Sequence, residues 1–426
     1  MPAGAVRRQS KRPRQRAEAA GSRRPKLTGE VQALNAPLVP IGHGRDQRLD
    51  VFRGLALITI FINHVPGNVY ELLTSRNFGF SDAAEAFVLM SGIAVGLAYS
   101  RGFSAGPMFS ACMRVWRRAG VLYVTHIVSS VIAIALVAAG VLFLGTVEMI
   151  GKINFARLLD QPLQAMVGIP LLGHQLGYFN ILPLYAVLLV ISPLYILIGL
   201  RSRRALVGVA LLVWLVAGMF RLNMPNYPNP GGWFFNPFSW QLIYAIGIAG
   251  GLSMLEKRKL VPFRAWLFWA STAFLVFSCA WVQLRVGAIP GGDALPFFIG
   301  TFDKTFVSLP RLLHALALAY VLTNVAWVMA LFRHPVFRPI ELMGKNGLAV
   351  FAAGSVLAIV LQVLRVRFET DFVSDAVLLG GGLAIQYGIA RFLSAQKALA
   401  GKKKALATEA PYHLPSAGKP RLSESA

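Results

Sequence analysis

Ten stretches of this sequence are each apolar over about the length that crosses a lipid bilayer. A helix needs roughly 20 mostly apolar residues to span the hydrocarbon core, and about 17–25 is the usual range. A helix satisfies its backbone hydrogen bonds internally, so a chain with many such stretches is expected to form a helical bundle in the membrane. The stretches lie at 50–68, 83–100, 119–145, 178–200, 204–220, 236–255, 265–284, 309–332, 346–366 and 373–394.

The distribution of charge supports a membrane protein and predicts its orientation. Of the 426 residues, 56% are hydrophobic and only 14% are charged, unlike the usual composition of soluble domains. Lys and Arg number 42 against 18 Asp and Glu, and most of these cations lie between alternate apolar stretches and at the two ends. Because cytoplasmic loops carry an excess of Lys and Arg, the sequence predicts an all-α polytopic membrane protein with about ten transmembrane helices and both termini cytoplasmic.

The two ends of the chain differ in composition from the rest. Residues 1–48 are rich in Arg, Ala and Pro without apolar periodicity, and residues 396–426 are similar. We therefore predict two disordered basic arms that flank a transmembrane domain at 49–395. Basic residues beside membrane spans fix topology and contact anionic lipid, so we expect membrane lipid, and not nucleic acid, as their partner.

The first apolar stretch contains polar residues that need an explanation. Charged side chains inside membrane spans are rare, costly and usually functional. Asp50 and Arg53 are three positions apart, so they can pair on a helix. Arg53 and His64 are eleven positions apart, which is about three turns and roughly 16 Å along one helix face. The simpler interpretation is a boundary ion pair and an interfacial histidine, and the alternative is a functional site on this face.

A second polar group lies at the start of the second apolar stretch. Ser81 or Asp82 can cap this helix, and Glu85 then occupies its first turn. The helix dipole favours a carboxylate there, which is one explanation for Glu85. The other is that Glu85 orients or charges His64, since the predicted topology places both toward the outer side. Gly92 follows, and a small residue there allows two helices to approach closely.

These motifs resemble the integral-membrane acyltransferase family 3. That family has an Arg and a His at the spacing of Arg53 and His64, a Phe-rich stretch that ends in Ser-Gly, and an Arg-rich inner loop. The motifs cover about residues 48–120, and the plan of spans extends the likeness to about residue 394. Three strings look more narrowly like the OpgC branch, and they lie at 48–54, 63–68 and 76–85.

The resemblance implies a reaction, since the OpgC branch is associated with adding succinyl groups to osmoregulated periplasmic glucans. The implied enzyme is a membrane O-acyltransferase of the bacterial inner membrane. Its donor would be an acyl-CoA, succinyl-CoA in this branch, and its acceptor a periplasmic glucan or another cell-envelope sugar. No permanently bound cofactor is implied, because acyl-CoA is a co-substrate. The sequence also lacks the residue spacings typical of a metal site.

An acyl-CoA is bulky and highly anionic, so it needs cations on the inner side. Arg114, Arg117 and Arg118 lie in the predicted second inner loop and are candidate phosphate partners, because guanidinium groups form forked charge-assisted hydrogen bonds. The alternative is that they only set the topology. Arg53 lies deeper and is a candidate to meet the pantetheine end.

The acceptor hydroxyl is a poor nucleophile at neutral pH and needs a base. Imidazole titrates near neutral pH, so we predict His64 as the general base. Glu85 or Asp82 is the candidate orienting carboxylate, and Arg53 with Asp50 would hold the surroundings of the ring. An acyl group carried on the histidine is a second route, and the sequence does not choose between the two.

A transporter is the competing interpretation. In that case Asp50, Arg53, Glu85 and His64 would form a proton or substrate path. Transporters commonly contain internal repeats, whereas the pattern of the first span has no second copy in the later half of this sequence. The sequence therefore favours the enzyme, and a non-catalytic assembly partner is a third interpretation.

Overall fold

The structure, a computed structural model, describes residues 47–409 and the side chains of residues 47–401. Within these residues α-helices alternate with loops and short 3₁₀ turns, and the only β-type pairing is an isolated bridge between Pro225 and Gly232. The predicted all-helical class is therefore confirmed. The described α-helices, numbered in chain order, are α1 (Gln47–Asn63), α2 (Ala83–Ala105), α3 (Met108–Leu144), α4 (Ala156–Asp160), α5 (Pro162–Gly168), α6 (Ile181–Arg201), α7 (Arg203–Met219), α8 (Pro237–Leu255), α9 (Ala265–Gln283), α10 (Phe297–Gly300), α11 (Leu309–Asn324), α12 (Ala326–Leu331), α13 (Arg338–Lys345), α14 (Gly347–Arg367) and α15 (Phe372–Glu409).

Among the described residues, seven helical segments are long and apolar enough to cross a membrane. They comprise α2, α3, α6 with the turn before it, α8, α9, α14 and α15. The other three predicted spans coincide with α1, α7 and α11, which have 17, 17 and 16 residues. These results confirm a membrane protein, with seven candidate spans where the sequence predicted ten.

The predicted span at 309–332 is divided, so the expectation of one continuous helix was wrong. α11 ends at Asn324, and Val325 is extended with φ −90° and ψ 103° before α12 begins. The side chains of Thr323 and Asn324 donate hydrogen bonds to carbonyl groups one turn earlier in α11. The same kind of bond occurs within the continuous helix α3, from Thr125 to Val121, so it does not by itself explain the interruption.

The predicted inner loop before the third span was also wrong, because its arginines belong to a helix. Pro107 precedes the first residue of α3, and its fixed φ suits a helix start. No proline follows in the next 37 residues, and the helix ends where Gly145 adopts the left-handed conformation with φ 69°. The arginines that lie in the first turns of this long helix are Arg114, Arg117 and Arg118.

The predicted terminal arms fall mostly outside the described residues. Residues 1–46 of the 1–48 arm are outside them, and α1 begins at Gln47. The last helix continues to Glu409, past the predicted domain boundary at 395. Residues 410–426 of the C-terminal tail are again outside the described residues.

Close backbone contact joins α2 to α8 at the centre of the bundle. A Cβ atom at Gly92 on α2 would overlap the carbonyl oxygen of Tyr244, and one at Gly247 on α8 would overlap that of Leu89. Small residues permit such contact between membrane helices. The close approach expected at Gly92 is confirmed, and it holds the helix that carries Glu85.

The start of α1 packs against α13 in the same manner. A Cβ atom at Gly344 on α13 would overlap the carbonyl oxygen of Asp50, and one at Gly54 on α1 would overlap that of Ile340. Direct backbone contact therefore helps to place the polar residues at the start of α1, and a 2.9 Å hydrogen bond from Nε2 of Gln47 to Oε2 of Glu341 joins the same two helices.

Replacing Gly92 by Ala should reduce the free energy of unfolding by about 1–3 kcal/mol, because an added methyl group overpacks the α2–α8 contact. Thermal unfolding of the purified protein in detergent measures this loss. The control is Gly208→Ala on α7, where a Cβ atom meets nothing within 4 Å. Equal losses in the two variants would contradict the proposed role of the close contact.

Candidate active site

The ion pair predicted within α1 is present. Nη1 of Arg53 lies 3.1 Å from Oδ1 of Asp50, and both side chains are buried. The stem of Arg53 lies against Gly347 on α14, where a Cβ atom would be 3.2 Å from Cδ of Arg53. A buried charge is tolerated when it is paired and hydrogen-bonded, so this pair allows α1 to hold a guanidinium inside the bundle.

The three arginines of α3 differ in their surroundings. Arg114 and Arg117 are exposed, whereas Arg118 is half-buried. The fold therefore turns Arg118 partly inward and leaves the other two guanidinium groups at the surface.

His64 directly follows the last residue of α1. The centroid of its ring lies 4.4 Å from that of Tyr178 and 6.3 Å from that of Phe351 on α14. Its Nδ1 atom is buried and has no hydrogen-bond partner among the described residues. The carbonyl oxygen of His64 accepts a hydrogen bond of 2.7 Å from Nε2 of Gln362, also on α14. The backbone is thus fixed while one ring nitrogen remains available.

His64 and Arg53 are both in contact with α14. Arg53 lies against Gly347 and His64 lies near Phe351, which is about one turn further along that helix. The two side chains therefore do not diverge to opposite sides of α1.

The loop after His64 is attached to the facing ends of α14 and α15. Nη2 of Arg365 donates a 2.9 Å hydrogen bond to the carbonyl oxygen of Gly67, and Oδ2 of Asp375 accepts one of 3.3 Å from the amide of Val69. Arg365 and Asp375 also form an ion pair with each other. These contacts restrict the loop and therefore the position of the imidazole.

Asp82 and Glu85 form a capping box at the start of α2. Oδ1 of Asp82 accepts a hydrogen bond of 2.8 Å from the amide of Ala84, and Oε2 of Glu85 accepts one of 3.0 Å from the amide of Asp82. Asp82 is therefore the cap, and Glu85 has the first-turn role that the sequence suggested as one of two explanations.

The same carboxylates bind two cations that follow α10 in the chain. Nε of Arg311 lies 2.8 Å from Oε1 of Glu85, and its Nη2 lies 3.4 Å from Oδ2 of Asp82. Nζ of Lys304 lies 2.5 Å from the same oxygen of Asp82. Burial opposes the charge of Asp82, but Lys304 and Arg311 outweigh it and hold the pKa of that carboxyl below its usual range.

This cluster bears on which carboxylate can assist His64. Both oxygens of Glu85 are engaged, one by Arg311 and one by the amide of Asp82. Within the described part of the chain no hydrogen bond joins Glu85 to His64. Both oxygens of Asp82 are engaged as well, one by the amide of Ala84 and the other by Lys304 and Arg311.

The sequence analysis did not identify Lys304 and His314 as neighbours of these carboxylates. Nδ1 of His314 lies 2.7 Å from Oγ of Ser81, so His314 supports the residue before the cap. One signal was available in the sequence. Glu85 has no cation within the first turns of its own helix, so a buried carboxylate there needs a partner from another element.

Comparison with known families covers most of this structure. Residues 45–398 match the family described as OpgC protein. The chain belongs to the OpgC family. Its members are acyltransferase-type membrane enzymes that modify glucans, and the resemblance drawn from residues 48–120 is confirmed. No curated protein and no solved structure gives a significant match.

The part of the chain that matches the OpgC family contains every polar group described above. It begins just before α1 and ends inside α15. It therefore includes the Asp50–Arg53 pair, His64 and the cluster at the start of α2, and it leaves out most of both terminal arms.

Replacing Glu85 by Ala should destabilise this OpgC family member by about 3 kcal/mol, near the lower end of the range for breaking a buried ion pair, because Asp82 still neutralises part of the charge on Arg311. Denaturant or thermal unfolding in detergent measures the change. The control is Glu256→Ala, which breaks an exposed pair with Arg203 and should have little effect. If the two variants were equally stable, the buried cluster would not contribute as described.

Proposed function

We propose that this protein transfers a succinyl group from succinyl-CoA to a hydroxyl group of a periplasmic glucan, or of another cell-envelope sugar, at the bacterial inner membrane. The observation that carries the proposal is the OpgC family match over residues 45–398, which includes both polar clusters. The excess of Lys and Arg in alternate loops supports an orientation with both termini cytoplasmic.

The same proposal includes ten crossings. Seven helices already have the required length and apolarity. The remaining three, α1, α7 and α11, are 16 or 17 residues long, close to the lower limit of about 17 residues for a span. An even number of crossings keeps both basic ends on one side, which the distribution of charge favours.

The arginines of α3 support a donor site on the cytoplasmic side. Arg114 and Arg117 are exposed and therefore accessible to the phosphates of CoA, which guanidinium groups bind well. Arg118 is half-buried and lies further in. In the proposed complex the phosphates lie at the surface and the thioester end extends inward toward Arg53.

His64 is the general base of the proposed reaction. It takes the proton of the acceptor hydroxyl while that oxygen attacks the thioester carbonyl carbon. The carbon–sulfur bond then breaks, and the leaving thiolate of CoA takes the proton back from the imidazolium. The fixed backbone and the unpartnered Nδ1 of His64 support this role. Asp82 or Glu85 is the orienting carboxylate in this proposal, and each is held in place through both of its oxygens.

Transfer through an acyl-histidine is the second route. In it His64 attacks the thioester first, CoA leaves, and the sugar hydroxyl then takes the acyl group from the ring. Both routes need the same residue and differ in whether CoA is released before the sugar binds.

A transporter is the competing class, and the arrangement of charges disfavours it. Asp50 pairs with Arg53 near the start of α1, whereas Glu85 pairs with Arg311 in a cluster at the start of α2. The charges therefore form two separate groups in which acids pair with bases, and a proton relay would need titratable groups that exchange partners.

The full chain, purified in detergent and mixed with succinyl-CoA and a gluco-oligosaccharide, should release CoA in a sugar-dependent manner. His64→Ala should reduce this rate at least about 100-fold, because general-base catalysis contributes about 10²–10⁴-fold. Thiol release measures CoA, and mass spectrometry of the sugar identifies the acyl group, with acetyl-CoA as the competing donor.

His334→Ala, at an exposed turn before α13, is the matched histidine control and should retain the normal rate. A normal rate in a well-folded His64→Ala variant would reject the base. Movement of the sugar into vesicles without any release of CoA would reject the transferase in favour of a carrier.

Arg117→Ala should raise the KM for succinyl-CoA about tenfold or more, because Arg117 binds a phosphate in the proposed complex and a hydrogen bond to a charged group contributes about 1.5–3 kcal/mol. Arg118→Ala removes an equal charge from a half-buried position of the same helix, further from the phosphates, and should have a smaller effect. Steady-state kinetics at saturating sugar measure both. Unchanged KM values in both variants would show that these arginines only set the topology.

A further inference from the structure

A cavity of about 370 Å³ lies beside the charge cluster at the start of α2. Its volume is within the range of about 300–1,000 Å³ that is usual for small-molecule sites. Three elements form it: the loop before α2, the end of α9 with the turn that follows, and the chain from residue 302 into α11. Its lining residues are Gly79, Phe80, Trp281, Val282, Arg285, Gly287, Phe302 and Arg311.

Aromatic rings form the walls of this cavity. The centroid of Phe302 lies 4.5 Å from that of Phe80 and 6.4 Å from that of Trp281. Nε1 of Trp281 donates a hydrogen bond of 3.1 Å to the carbonyl oxygen of Gly287, so the indole is already held in one orientation. Its polar edge is satisfied within the protein, and what it offers to a ligand is its apolar face.

Arg311 contributes a hydrogen-bond donor to the cavity, and neighbouring carboxylates already neutralise its charge. Its Nε and Nη2 atoms bind Glu85 and Asp82, and Lys304 completes a group of two acids and two bases. Within the described chain, Nη1 of Arg311 has no hydrogen-bond partner. This cluster of two acids and two bases therefore supplies N–H donors to the cavity without adding net positive charge. Such donors suit hydroxyl groups better than anions.

The cavity adjoins the candidate orienting carboxylates. Arg311 lines it and binds both Asp82 and Glu85 directly.

We propose that this cavity binds a neutral sugar ring of the acceptor. The apolar face of a hexose would lie on Trp281 and Phe302, and its hydroxyl groups would accept hydrogen bonds from Nη1 of Arg311. Aromatic side chains provide large apolar contact area at fixed geometry, which suits a ligand with one apolar face and several polar edges. The identification of this sugar as the acceptor rests on the proposed function, whereas the binding of a sugar here does not.

Isothermal titration of the purified full chain with a glucose tetrasaccharide tests the site without any turnover. Trp281→Ala should weaken binding about tenfold, because it removes the apolar face on which the sugar lies. A tenfold loss of affinity corresponds to about 1.4 kcal/mol. The matched control is Trp269→Ala, about three turns earlier on α9, whose side chain is 67% exposed and lies outside the cavity. It should bind the sugar as the natural chain does.

Trp281→Phe keeps an aromatic face and should retain most of the affinity, and unfolding temperatures of all variants verify that they are folded. Unchanged sugar affinity in Trp281→Ala would overturn the proposal. A second result would also overturn it, namely binding of succinate that depends on Trp281 without any binding of the sugar. The cavity would then be an anion site to which Arg285 contributes.

The kinetic readout separates this inference from the proposed function. Sugar-dependent CoA release with an unchanged KM for sugar in Trp281→Ala would retain the transferase and reject the site. Trp281-dependent sugar binding without any CoA release would retain the site and reject the transferase. His64→Ala should still bind the sugar in the titration, since the imidazole does not line the cavity.

Discussion

A charge inside an apolar helical bundle is costly unless an opposite charge and hydrogen bonds replace the water that it loses. In this chain that requirement joins helices that are far apart in sequence. Glu85 at the start of α2 needs a cation, and Arg311 of α11 supplies it. Arg365 and Asp375 join the ends of α14 and α15 and hold the loop after His64. One of these pairs, Arg365–Asp375, is thus also a contact that restricts the loop after the candidate base.

In the proposed ten-span topology, α1 would reach from one side of the membrane to the other. Its 17 residues extend over about 25 Å, with the Asp50–Arg53 pair near the start and His64 just beyond the end. In the proposed reaction a donor approaches from the side of Arg53 and an acceptor from the side of His64. Both residues contact α14, so that helix forms a common wall for the two approaches.

Sequence reasoning succeeded where the deciding interaction was local. The Asp50–Arg53 pair follows from their three-residue spacing, the Asp82 cap from residue type, and the close approach at Gly92 from its small size. It failed where the backbone departs from a helix within a continuous apolar pattern. The span predicted at 309–332 is interrupted at Val325, which the apolar pattern by itself did not reveal.

By itself the sequence determined an all-helical membrane protein, the polar positions of its first two spans and its membership in a family of acyltransferases, because hydropathy, short spacings and motifs are properties of neighbouring residues. Only the tertiary structure decided that Arg311 and Lys304 neutralise Glu85 and Asp82, that Arg118 is the inward arginine of α3, and that an aromatic cavity lies beside them. These partners are separated by more than 200 positions in the two ion pairs, and no local pattern specifies which helices the burial of charge will bring together.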